Sequence, residues 1–347
     1  MTREIDFRYV VMRNSADYIE IYPADGSTPT LRMEESAEIK TSLSGAFLRD
    51  DRFDALSDEI RAEMILDGVT WPLGVYAVAS CTLNRTETEH IMQVEAFDRC
   101  WRVRDTRTDS LLHLAAGTNF LDAVAQLLTA AGIAIIIRTP SSAVLAEARE
   151  DWETGTSYLD IVNQLLSEIN YKSLWFDASG AAVLEPVSVP DAANIAHTLD
   201  ASDIRSLVLP EMDRVTDIYS APNVFLCICS NADKSAVMTA TAINDNPQSP
   251  LSVPRRGRRI MQVVKVKNIA DQDALQDYAN HLRNESMWSG ETIHVSTALL
   301  PGHGVADVVA LHTEEFLAIC IERAWTMALG VGGTMEHTLE RVVVNLG

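Results

Sequence analysis

Long hydrophobic runs are missing from this 347-residue chain. The longest apolar stretch, AAGIAIII from Ala130, is cut short by Arg138 and Pro140. It falls well below the roughly 18 residues a membrane-spanning helix needs, so no stable membrane insertion is expected. The first residues, MTREIDFRYVV, place Arg3, Glu4, Asp6 and Arg8 where a secretory leader would be apolar, which points to synthesis in the cytoplasm. Cysteine is sparse: Cys81, Cys100, Cys227, Cys229 and Cys320 are odd in number and scattered. Cys227 and Cys229 share a strand face, but no second pair or nearby histidine completes a zinc site, so buried reduced thiols are expected. Basic charge is also scarce, with 28 Lys and Arg against 49 Asp and Glu and a net charge of −21. A chain of that sign does not bind nucleic acid by neutralising phosphates. Catalytic signatures are absent as well: there is no HExxH and no GxSxG, and GVGG at 330–333 lacks a P-loop lysine. No metal site, cofactor or enzymatic activity is expected.

What is present describes a folded protein: 47% hydrophobic and 22% charged residues. The length exceeds what one hydrophobic core fills, so two or three packed units are expected. Residues 1–105 alternate and turn like a small antiparallel barrel or sandwich. FRYVVM and YIEIYP read as strands, and SAEIKTSLSGAFLR alternates with Ile39, Leu43 and Phe47 on one face. A helix is expected near 54–66, then strands at WPLGVYAVASCTLN and EHIMQVEAFDRCWRV, joined by a hairpin at NRTETE. Residues 106–195 read as an α+β unit. TNFLDAVAQLLTAAG and GTSYLDIVNQLLSEIN carry helical spacing with capping residues, a β-branched run follows at 133–137, and DASG turns between two strands. Residues 196–347 return to strands, with one amphipathic helix at about 270–287 and a GVGG hairpin tip near the end.

Two segments draw functional attention. NDNPQSPLSVPRRGRRI, residues 244–260, concentrates Arg255, Arg256, Arg258 and Arg259 on an acidic chain, after a loop whose Pro, Asn and Ser disfavour helix or central strand. Three uses compete: a solvated loop, a docking element whose guanidinium forks pair with carboxylates of a neighbouring copy or another protein, and a nucleic-acid patch, which would have to overcome the field of the whole acidic chain. PGHGVADVV places His303 and Asp307 four apart beside glycine, a spacing that serves turn chemistry as well as a ligand or acid–base pair.

Taken in order, several stretches resemble the tail-hub proteins of phages, prophages and contractile injection systems. They are SAEIKTSLSGAF, WPLGVYAVAS, VEAFDRCWRV, AAGTNFLDAVAQLLTAAGI, REDWETGTSYLDIVNQLLSEINYKSLWFDASG, APNVFLCIC and the arginine-bearing segment, spanning about residues 36–260. None is a catalytic motif, and the resemblance rests on their number and order. It implies a mostly β, α+β chain: two tail-tube-like antiparallel β-barrel domains flanking an inserted α+β domain. It further implies a structural baseplate hub in the virion tail. That hub is a homotrimeric ring that meets the sixfold tail tube or a distal tail protein above and the spike or tip protein below. It encloses the tape-measure protein and lets DNA pass through its lumen without specific binding. The long alternating strands at 36–47 and 316–344 are the expected interface edges, and the end at RVVVNLG leaves spike or cell-wall-cutting functions to separate partners. A tail-associated cell-wall hydrolase and a host-surface adhesin are the alternatives; for the adhesin, Trp101, Trp152, Trp175 and Trp325 sit in periodic segments that suit packing better than a sugar site.

Overall fold

Alternation becomes strand through most of the first hundred residues of the computed structural model, which describes residues 3–85, 90–187, 190–202, 206–216, 221–229, 237–266, 272–286 and 291–342. These fall into two units. One is Met1–Val187 with Thr297–Val305 and Ala324–Glu336; the other is Ser188–Ser296 with Ala306–Arg323 and His337–Gly347. Strand accounts for 48% and helix for 16%, in keeping with a mostly β, α+β class.

The first unit begins with β1 (Ile5–Arg13), β2 (Ala16–Ile21), β3 (Thr30–Glu34), β4 (Thr41–Leu48), β5 (Glu59–Leu66), β6 (Val69–Arg85) and β7 (His90–Asp98). They pair antiparallel in the order β2-β1-β5-β6-β7-β4-β3. The inward rows bury Tyr9, Leu31, Met33, Leu43, Phe47, Ile60, Met64 and Tyr76, with the Tyr9 and Phe47 rings meeting edge to face at 5.1 Å. Each such side chain contributes about 1.5–3 kcal/mol by leaving water. The segment after β2 bonds across to β4, Ala24 N to Ala46 O at 2.9 Å and Leu48 N to Tyr22 O at 2.8 Å. In β6, Leu73 is an extra residue opposite Ala62 and Glu63. Its carbonyl accepts the buried Tyr76 hydroxyl at 2.7 Å, and Gly74 holds φ +133°, where a Cβ would strike that hydroxyl.

Three expectations in this region need correction. The helix expected at 54–66 is a strand from Glu59 onward: EIRAEMIL has good helix formers, but pairing with β1 and β6 on its two edges outweighs propensity. The strand begun at Ser36 starts only at Thr41, and Ile39 packs instead against the α+β core. The stretch expected as strand to Val103 turns after Asp98 into α1 (Cys100–Asp105). Asp98 makes that turn, accepting from Cys100 N at 2.8 Å and from Thr41 N and Oγ1 at 2.9 Å. The hairpin tip expected at 84–89 lies partly outside the described residues.

Next come β8 (Leu112–Leu114), α2 (Phe120–Ala130), β9 (Ile136–Arg138), β10 (Arg149–Trp152), α3 (Tyr158–Glu168), β11 (Trp175–Phe176) and β12 (Ala182–Leu184). Both long helices start where capping chemistry placed them. The Asn119 side chain accepts from Leu121 N, that of Ser157 from Leu159 N, and Gly132 follows α2 at φ +83°. Their apolar stripes, Phe120, Val124, Leu127 and Leu128 with Leu159, Val162, Leu165 and Leu166, share one core with Trp152, Leu174 and Phe176. Arg99 ties this core to the sheet. It forks onto Glu59 at 2.8 and 3.1 Å and donates to Gly180 O at 2.8 Å.

The second unit contains β13 (His197–Asp200), β14 (Val208–Thr216), β15 (Val224–Cys229), β16 (Met238–Ile243), α4 (Val253–Arg256), β17 (Met261–Val266), α5 (Gln272–Ser286), β18 (Glu291–Ala298), β19 (Val308–His312), β20 (Leu317–Ala328) and β21 (Thr334–Val342). β15 sits between β16, antiparallel, and β17, parallel. Cys227, Cys229, Ala240 and Ala242 from this small sheet pack on Leu275 and Ala279 of α5. β18 lies between β14 and β21, and β20 pairs with β21 and with β19, which takes β13 in parallel. The C-terminal part of β20 counts with the first unit and completes its sheet beside β3. The strands at 36–47 and 316–344, expected as interface edges, are therefore interior: β4 is bounded by β3 and β7, and β21 by β18 and β20. Cys100, Cys227, Cys229 and Cys320 are buried free thiols, and Cys81 is partly exposed.

Candidate functional site

Residues 244–260 fold as a pinned loop. Asn223, wholly buried just before β15, donates from Nδ2 to Leu251 O at 3.1 Å and Arg258 O at 3.0 Å, and its Oδ1 accepts from Ile260 N at 2.7 Å. Asn244, equally buried, receives a backbone bond to its carbonyl from Val253 N at 2.9 Å, and its Nδ2 donates to Ser249 Oγ at 3.0 Å. Ser249 and Ser252 are also fully buried. The polar residues that disfavoured regular structure in the sequence are thus the loop's internal hydrogen-bonding set. They admit one helical turn where none was expected. Ser252 caps it, Pro254 lies in its first turn, and Gly257 ends it in the left-handed region at φ +64°.

That turn sets the arginines apart. Arg256 is half-buried and donates to Ala221 O at 2.6 Å. Arg255, Arg258 and Arg259 are exposed, and no ion pair engages them among the described residues. Most arginines elsewhere are matched to carboxylates, including Arg13 to Asp58 at 2.7 Å, Arg61 to Asp17 at 2.6 Å, and Arg214 and Arg341 to Glu291 at 2.5 and 3.0 Å. The chain runs from this loop straight into β17, whose Met261 and Val263 are 53% and 52% exposed and whose Lys265 is exposed too.

His303 and Asp307 belong to different units, and Asp307 engages His197 at 3.3 Å. Sequence reasoning missed a buried pair, Glu322 with His337 at 2.5 Å, both side chains fully enclosed. Its only signal was a glutamate inside the apolar strand LAICIERAW. A cavity of about 30 Å³ in the first unit is lined by Thr41, Tyr76, Asp98, Trp175, His303 and Trp325, among others. Burial raises the Asp98 carboxyl and the Tyr76 hydroxyl above their ordinary values. The space suits a water or two, against about 300–1,000 Å³ for ligand pockets, so these perturbed groups mark a buried joint. An open groove beside α2 brings together Asp122, Gln126, Thr129 and Arg138, with Asp122 and Arg138 paired at 2.6 Å, and holds no nucleophile–base pair. No described helix is long and apolar enough to cross a membrane.

No family model and no curated protein sequence matches the chain. Solved structures do share its fold. A tail protein from Neisseria meningitidis MC58 superposes with a TM-score of 0.69 over 96% of both chains at 14% identity. The 43 kDa tail protein of prophage MuSo2 from Shewanella oneidensis gives 0.66 over 96% of this chain and 98% of its own, at 10% identity. Prophage tail protein gp18 from Listeria monocytogenes EGD-e gives 0.63 over 96% and 94%, at 14% identity. At such identities the likeness is one of fold.

Proposed function

We propose that this chain is a structural hub of a phage-type tail, without catalytic activity of its own. The observation that carries the reading is end-to-end agreement of fold with the Neisseria, Shewanella and Listeria tail proteins, each matched over at least 94% of its length.

In this reading residues 1–105 and 196–347 are two tube-like β-barrel modules and residues 106–195 the inserted α+β domain. Three copies form a ring in the virion tail that presents six modules to the tail tube or a distal tail protein, and threefold symmetry to the spike or tip. The tape-measure protein ends inside the ring, and DNA later leaves through it. Each copy brings a net charge of −21, so a lumen lined by part of that charge repels phosphate and lets DNA pass without sticking. The arginine loop serves assembly. Electron microscopy of the purified full-length protein, with mass photometry of the same sample, tests the reading. Threefold rings with six inner lobes are expected. A persistent monomer that also clears peptidoglycan in a zymogram would overturn it in favour of a hydrolase.

A further inference from the structure

In the α+β part of the first unit, β9 ends a three-stranded sheet. Among the described residues it pairs with β12 alone, in parallel, and β12 leads on to β11. The register fixes where its backbone groups point. Ala182 N donates to Ile135 O at 3.0 Å and Thr139 N to Leu184 O at 2.9 Å, so residues 135, 137 and 139 bond toward β12. Residues 134, 136 and 138 therefore turn theirs the other way. The Ala134 carbonyl, the Ile136 amide and carbonyl, and the Arg138 amide face the free edge, and no hydrogen bond engages them among the described residues.

That edge is one wall of the groove beside α2. The groove measures about 760 Å³, with Ala134, Ile136 and Arg138 on one side and Gln126, Thr129 and Ala130 of α2 on the other. The three residues whose backbone groups point outward are thus the same three of β9 that line it. Its volume falls within the roughly 300–1,000 Å³ of ligand sites. Ile136 packs on the core, while Ile135 and Ile137 stand on the opposite face of the sheet, 56% and 50% exposed. An unpaired edge flanked by bare isoleucines is what an added strand would cover. Pro140 closes the run soon after β9, so the edge offers four groups, the complement of about five residues of extended chain.

We propose that this groove binds an extended, uncharged segment of another protein, added to the sheet as a fourth strand. Backbone bonds to Ala134, Ile136 and Arg138 supply the recognition, and alternate apolar side chains of the segment cover Ile135 and Ile137. Charge sets the class of occupant. The charged side chains of the groove, Asp122 and Arg138, neutralise each other at 2.6 Å and leave nothing to hold an acidic or basic segment. A second copy is disfavoured on the same ground, since copies that each carry −21 repel and a neutral groove does not offset that. Shape agrees: a strand entering beside β9 lies along α2, and the β9 of a second copy would bring its own α2 into the same space. The slot lies within one chain and serves whether or not copies form a ring.

The test is NMR of the full chain labelled at its isoleucine δ1 methyls, titrated with the capped peptide acetyl-Thr-Val-Thr-Val-Thr-amide. So short a strand binds weakly, and a Kd of about 1 mM is expected, read from shifts of the Ile135, Ile136 and Ile137 methyls. The same peptide with every amide N-methylated cannot donate to the edge and should bind about tenfold more weakly or worse. Ala130→Trp fills the groove from an exposed position, so it should abolish the shifts with melting unchanged. Exchanging the terminal threonines of the peptide for glutamate or lysine should not tighten binding. No shift at these three methyls up to about 5 mM peptide would overturn the proposal. So would equal binding of the N-methylated peptide, or shifts that survive Ala130→Trp. Methyl shifts that follow protein concentration without peptide would give the groove to a second copy and overturn the choice of occupant.

Discussion

Replacing Asn223 by alanine tests whether the arginine loop is held as its hydrogen bonds indicate. The side chain is fully buried and completes three bonds, to Leu251 O, Arg258 O and Ile260 N, which alanine cannot make. An unmet buried backbone group costs about 1–3 kcal/mol. Arg258 is exposed, so its carbonyl can turn to water, whereas Leu251 is 3% exposed and Ile260 half-buried. Two stranded groups and one rehydrated one give a loss of about 3 kcal/mol. For a unit of this size that corresponds to a melting point lower by about 6–12 °C.

The same loss appears locally. Trypsin needs the loop open to cut after Arg255, Arg256, Arg258 or Arg259. A fall of about 3 kcal/mol in the opening free energy speeds that cleavage roughly 100-fold where cutting follows opening. Hydrogen exchange at the Ile260 amide should accelerate in step, since Asn223 Oδ1 is its acceptor. Asn223→Asp separates hydrogen bonding from packing: it keeps the acceptor but sets a buried carboxylate against two carbonyl oxygens. It should be worse than alanine at pH 7 and improve as the carboxyl protonates. If Asn223→Ala melts with the wild type and its loop is cut no faster, the loop is not held by this residue and the account of its geometry fails.

His337→Ala removes the ring that Glu322 contacts at 2.5 Å in a fully enclosed pair, so it should lower stability by about 3–5 kcal/mol, and replacing both residues by leucine should recover most of it in thermal denaturation. The Arg13 guanidinium, hydrogen-bonded to Asp58 at 2.7 Å, holds that carboxyl below its ordinary value. A depressed folded-state pKa means stability that is present above the unfolded value of about 4 and lost as pH falls through the folded one. Asp58→Asn should therefore be less stable than wild type at pH 7 and show a flatter acid limb in denaturation midpoints measured below about pH 4; a parallel limb would refute the assignment.

Legibility followed the kind of information each segment carries. The helices α2 and α3 were readable because capping residue, 3.6-residue apolar stripe and, for α2, a terminal glycine agree in TNFLDAVAQLLTAAG, and the first two agree in GTSYLDIVNQLLSEIN. EIRAEMIL misled because its residues favour helix and its neighbours on both edges impose strand. The turn at Asp98 was hidden because its cause is a carboxylate reaching Thr41, 57 positions away. His197 with Asp307, and Glu322 with His337, are pairs that only a tertiary arrangement creates.

The arginine loop and the sheet edges divide along a physical line. Charge is a property of the chain, so Arg255, Arg256, Arg258 and Arg259 stood out before any fold was known, though their unequal burial did not. Side-chain alternation reports which face of a strand is buried, and the free edge lies at right angles to that face, in the plane of the hydrogen bonds. No pattern along one strand says whether a neighbour occupies that edge. This is why the long, cleanly alternating strands at 36–47 and 316–344 were mistaken for edges. Clean alternation comes from a well-ordered place inside a sheet with one face buried, which is where β4 and β21 lie. Among the sheet ends, β14, with a proline and exposed apolar residues beside acids, and β17, with three of its first four residues exposed and a lysine after them, are irregular, whereas β16 alternates cleanly and ends its sheet all the same. Alternation, clean or poor, therefore does not tell an edge strand from an interior one.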